Sequence, residues 1–271
     1  MAWVETASGS FSARHESKDA RAAGALLERL EGFRDRLGDS FDTVPEGVAV
    51  VMHPSSLQLA LSRPWLPVAR LIAAPSARRY LAGWFGPDEI HVLAPAALEA
   101  RASAVPGSRE ALQLSAEHEF AHLAVAANNP DLPPPFTGSK LRQYVRWAWH
   151  CEGAAGFFSG QVRHLRPALA RRLREGPRPS FPPSARDAQL LGGTVYSLLE
   201  EGAGREACVE LATTLDPAGP TAALERAFLR DLSEVESDWR RYLTTLASGI
   251  PRASSRGAAR SRARVTTGRA A

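Results

Sequence analysis

The run His118-Glu119-Phe120-Ala121-His122 constrains this 271-residue chain more than any other feature. On a helix, positions i and i+4 share one face, so the two imidazoles can aim their nitrogens at a common metal ion. Glu119 stands next to the first histidine, where its carboxylate could take a proton from metal-bound water, which points first to hydrolysis. The surrounding residues 108–126 are mostly good helix formers with no internal Gly or Pro. Ser108, after Pro106-Gly107, reads as an N-cap, and Asn128-Asn129-Pro130 as a stop. Leu112, Ala116, Phe120, Leu123 and Ala124 recur near helical spacing and would seat this helix in a core.

A catalytic zinc needs a third protein ligand, with its fourth position left for water. A metzincin pattern would place Gly at position 125 and His at position 128; the chain has Val125 and Asn128, so that pattern fails. A Glu on a second helix is the other option, and Glu152 lies in the apolar stretch 147–161. A carboxylate there is costly to bury unless it is paired or binds a metal. Gly153, Ala154 and Ala155 would let that helix lie close against the histidine helix. His150 and Cys151 flank Glu152, but neighbours on a helix point about 100° apart, so neither shares its direction; Cys151 reads as a small buried hydrophobe.

HEFAH followed by WHCEGAA (residues 149–155) resembles the gluzincin branch of the zincin metallopeptidases, with the bacterial peptidase MA-like proteins the nearest comparison. The likeness extends over roughly residues 10–247. It takes in an early strand at 11–15, a long helix, an apolar strand at 48–52, and a closing helix with Glu236, Trp239 and Tyr242-Leu243. The resemblance implies a zinc-dependent peptidase with one zinc per chain, held by His118, His122 and Glu152, with Glu119 as general base. It also implies a transition-state donor, for which Tyr196 is the first choice and Tyr144, His150 and His164 are alternatives. Glu117 and Asp131 are candidates to orient the ligating histidines.

The implied fold is α+β and zincin-like: a small N-terminal mixed sheet with the active-site helix, then a mainly helical C-terminal lobe. The expected domain covers residues 9–250, with lobes at about 9–129 and 130–250 joined through the Pro- and Gly-rich stretch 129–140. Periodicity predicts a helix over 19–37, and a hairpin from 80–85 into 89–94 across Gly86-Pro87-Asp88. Strand 89–94 is proposed as a sheet edge able to take an extended peptide or protein substrate. Later helices are expected at 185–201, 205–214, 222–229 and 233–246, with a four-proline loop at 174–184.

No run of 18 apolar residues exists, so no membrane span is expected. The start lacks a basic n-region and an apolar h-region, and two cysteines do not make a disulfide framework; a cytoplasmic protein is the expectation. The net charge of +4 is carried by residues 251–271, where six Arg meet no acidic residue; without them the rest stands at −2. That Arg-rich tail reads as disordered and dispensable. Nucleic-acid contact through it is the weaker reading, because no aromatic interleaves the arginines. The competing class is a catalytically inactive zincin-fold binding or regulatory protein. Such proteins usually lose the base or a ligand, and here all four residues stand.

Overall fold

The computed structural model describes residues 2–63 and 82–248; the tail at 251–271 and the first two residues of the hairpin expected from 80–85 lie outside them. Five strands form one mixed sheet: β1 (Trp3–Ala7), β2 (Phe11–Glu16), β3 (Val48–His53), β4 (Gly83–Phe85) and β5 (Glu89–Leu93). Their order is β1-β2-β3-β5-β4, with β2, β3 and β5 parallel and the outer strands β1 and β4 antiparallel to their neighbours. Helix α1 (Ala20–Gly38) makes the crossover from β2 to β3.

Alternation in the strands assigns the two faces of the sheet. Phe11, Ala13, Val48, Val50, Met52, Phe85, Ile90 and Val92 face the main core, together with Leu27, Leu30 and Phe33 of α1. On the other face, Trp84 and Leu93 pack with Leu59 from α2 (Ser56–Ser62). The predicted hairpin forms as β4 and β5, but the proposed edge strand does not stand at an edge. Strand β5 lies between β3 and β4 and is buried from Ile90 onward, and among the described residues β4 is the outer strand.

After α3 (Pro95–Arg101), the expected motif helix divides into α4 (Ser108–Gln113) and α5 (Ser115–Ala127). Leu114 has ψ 13°, and the Ser115 hydroxyl donates to the Leu112 carbonyl at 2.6 Å, a local bond that competes with continuous helix. Ser108 is not the cap: Gly107, at φ +81°, holds that position. Helix α5 ends at Asn128, where the sequence places its stop.

The C-terminal half is helical: α6 (Gly138–Arg146), α7 (Ala148–Phe158), α8 (Arg166–Glu175), α9 (Ala188–Thr213), α10 (Pro220–Phe228) and α11 (Leu232–Ser248). Gly204, at φ +84°, breaks α9 where two helices are expected. One continuous core runs from Phe11 in the sheet to Leu243 in α11.

Gly153 does let α7 approach a neighbour closely, but that neighbour is α9 and not the histidine helix. A Cβ at Gly153 would stand 2.6 Å from the Gly192 carbonyl carbon, and one at Gly192 would stand 2.3 Å from the Trp149 carbonyl oxygen. Both contacts are backbone on backbone, so neither can yield by a side-chain rotation. Gly192→Ala is therefore expected to destabilise by about 1–3 kcal/mol. Urea denaturation checks this, and an unchanged midpoint would show that the helices separate without penalty.

His150 also ties α7 to α9, through a 2.6 Å bond from Nε2 to the Leu211 carbonyl. Full burial pulls its pKa down to about 4 against the opposite effect of that carbonyl. Between the ordinary value near 6.5 and about 4, the unfolded chain binds more protons than the folded one. Stability should therefore fall as the pH drops through that window, by about 3 kcal/mol for this residue when complete. Burial and the neighbouring His91 set His53 at about 4 as well, so it adds to the same trend. Denaturant titrations of the metal-free chain at several pH values would show the slope, and His150→Gln should flatten it in part.

Candidate metal centre

Helix α5 is buried over Ser115–Val125, and its residue pattern sorts two functions onto opposite faces. Phe120 is fully buried against Phe11 (4.9 Å between ring centroids) and Phe33 (6.2 Å), fixing the helix under the sheet. Positions 118 and 122 lie about 200° around the axis from position 120, so both imidazoles point away from that contact and towards α7. Glu117 is tied to Arg29 of α1 at 3.0 Å, a bond that further fixes the helix.

Glu152, on α7, meets the two histidines. His118 Nε2 lies 3.3 Å from Glu152 Oε2, and His122 Nε2 lies 3.9 Å from Glu152 Oε1. One donor atom from each residue falls within 4.8 Å of the other two, the one such group found among the described residues. Zinc with bonds of about 2.0–2.2 Å in a tetrahedron sets its ligand atoms roughly 3.3–3.6 Å apart, close to the 3.3 and 3.9 Å that separate the Glu152 oxygens from the two histidines. Two imidazoles and one carboxylate are also the donor types of a catalytic zinc site that keeps a position open.

The electrostatics hold Glu152 as a carboxylate. Burial by itself would raise its pKa. The His118 hydrogen bond, the two imidazoles and the Tyr144 hydroxyl outweigh burial and set the value at about 2. Tyr144 of α6 donates to Glu152 Oε1. Its own pKa is pushed well above the ordinary range, first by burial and then by the Glu152 charge, so it remains a donor.

Phe85 of β4 stacks on His122, with ring centroids 4.5 Å apart and planes 18° from parallel. Phe136 continues this wall, 5.2 Å from Phe85 and 6.4 Å from Tyr144. Glu119 is buried against the same strand. A Cβ at Gly83 would stand 2.8 Å from Glu119 Cγ and 2.9 Å from Oε1, so a residue without a side chain is needed there. A glycine inside a strand is a signal of close approach, and it is the mark by which Gly83 could have been found.

Of the sequence-predicted residues, His118, His122 and Glu152 come together, and Glu119 lies on the helix turn between the histidines. Tyr196 does not join them. It is fully buried on the far side of α7, its ring against His150, Phe157 and Phe158. Burial pushes its pKa well above the ordinary range, and among the described residues its hydroxyl has no hydrogen-bond partner. Tyr144 is the candidate that reaches the ligand set. His150 is committed to the Leu211 carbonyl, Glu117 to Arg29, and Asp131 is exposed. Cys151 is buried and free, as its reading as a small hydrophobe requires, and Cys208 is likewise buried and free. No helix among the described residues is long and apolar enough to cross a membrane. No protein-family model, curated protein or solved structure matches the chain.

Proposed function

We propose that the chain is a zinc-dependent, gluzincin-like peptidase with a single metal site on a zincin-like α+β fold. The observation that carries this reading is the convergence of Glu152, from a separate helix, onto His118 and His122 at 3.3 and 3.9 Å. Those three residues would hold the metal. Zinc, when bound, supplies Lewis acidity and acidifies a water toward neutrality.

The rest of the chemistry belongs to the protein. Glu119 accepts the proton of the attacking water and passes it to the leaving amine. Tyr144 donates to Glu152 and adds to the larger effect of His118 and His122 in keeping it ionised. Among the described residues β4 is the outermost strand and lies beside Glu119, so a peptide substrate laid along it would pass its backbone by the site. This assigns to β4 the role the sequence suggests for residues 89–94.

The test is hydrolysis of an unstructured peptide mixture, read by mass spectrometry. Zinc-loaded chain should generate new termini, a chelator should stop their formation, and added zinc should restore it. A zinc-loaded chain that cleaves nothing in a broad mixture would favour the binding-protein reading instead.

A further inference from the structure

A cavity of about 690 Å³ opens at the end of α7 remote from Glu152, between α1, α8, α9 and α11. None of His118, Glu119, His122, Tyr144 or Glu152 lines it. Its floor is apolar and aromatic, with Phe33, Phe157, Phe158 and Leu169. Its rim is basic: Arg36, Arg163, Arg166 and Arg205 stand around it against two carboxylates, Asp39 and Glu200, an excess of two positive charges.

The ion pairs leave that excess in place. Arg205 lies 3.7 Å from Glu200, donates to the Ser40 hydroxyl, and sits over Phe158 at 5.2 Å. Arg36 rests over the Phe33 ring at 5.6 Å, and among the described residues neither it nor Arg163 nor Arg166 has a carboxylate within ion-pair distance. Arg163 is also pinned, its Nε donating to the Gly160 carbonyl at 3.0 Å. Gly160, at φ +74°, leaves room for that guanidinium, because a Cβ there would stand 2.5 Å from Arg163 Nη2. Like charges gathered at one mouth repel, and an anion from solution relieves them.

We propose that this cavity binds a phosphorylated small molecule. Its phosphate pairs with Arg163, Arg166 and Arg36, and its apolar or aromatic body lies on the Phe157–Phe158 floor. A phosphate dianion matches the excess charge, and the guanidinium fork matches its oxygens. The volume lies in the range of ligand pockets and is far larger than a bare phosphate requires.

Calorimetric titration of the full chain with ADP and with octyl phosphate tests this, with adenosine and octanol as the same bodies lacking the charge. At least one phosphate compound should bind with Kd below about 1 mM, and at least about tenfold tighter than its uncharged counterpart. The tighter of the two identifies the body as aromatic or aliphatic. The double substitution Arg163→Ala, Arg166→Ala should weaken binding by about tenfold or more, and added salt should weaken it as well. Both arginines are exposed, and circular dichroism and zinc content, expected unchanged, report whether the fold is kept. Failure of both phosphate compounds to bind, equal binding of adenosine and ADP together with equal binding of octanol and octyl phosphate, or undiminished binding by a folded double variant would overturn the assignment.

Discussion

Glu119→Gln is expected to leave zinc in place and to lower peptide hydrolysis by about 10²–10⁴-fold. Glutamine has nearly the same shape, so it should occupy the space that Gly83 leaves beside β4. It cannot accept the proton of the attacking water. Glu119 is also outside the group His118, His122 and Glu152 that converges within metal-binding distance, so the substitution separates the chemistry from metal retention. Turnover on a cleaved peptide and zinc content of the same sample check the two halves together. Activity within a few-fold of the unaltered chain would remove Glu119 from the mechanism.

Glu152→Ala is the second large effect, and it falls on the metal itself. The substitution removes the one anionic donor and leaves two imidazoles facing the space it occupied. Loss of a residue that merely orients a ligand lowers metal affinity by roughly 10–100-fold, so loss of the ligand should exceed that. The side chain's ionisation sharpens the expectation. With its pKa at about 2, Glu152 stays charged throughout the range in which histidines ordinarily protonate. Ligating imidazoles must be neutral, so zinc release on acidification should follow histidine protonation and not neutralisation of Glu152. Competition against a coloured chelator at several pH values measures both. An unchanged affinity in Glu152→Ala would mean that another residue is the third ligand.

Much of this arrangement was readable before the structure, for identifiable reasons. The α1 periodicity records one buried face, α5 is buried all round over Ser115–Val125, and the apolar run at 48–52 is a strand buried within the sheet. Glu152 stood out because a carboxylate among apolar helical neighbours needs a partner, and it has three in His118, His122 and Tyr144. Strand order was not readable. Both β4 and β5 carry strand-like residues, and only the pairing of β5 with β3 decides that β4 is outermost among the described residues.

The two tyrosines show the same limit at the site. Tyr144 lies in a largely polar helix and Tyr196 in a buried apolar one, and local sequence does not say which side of α7 each helix covers. The structure puts α6 on the Glu152 side and Tyr196 of α9 on the other. Of the small residues after Glu152, Gly153 marks a close approach, but its partner is the Gly192 backbone, more than thirty positions away in the chain, and not the histidine helix. The basic cavity left still less trace, because its four arginines come from α1, the segment after α7, α8 and α9, and adjoin only in the fold.

The most direct measurement is the zinc content of the full chain, purified without chelator, supplemented with zinc and freed of unbound metal. One zinc per chain is expected, falling to near none in the double variant His118→Ala, His122→Ala. No zinc in the unaltered chain, or the same zinc content in the double variant, would contradict a site built from His118, His122 and Glu152.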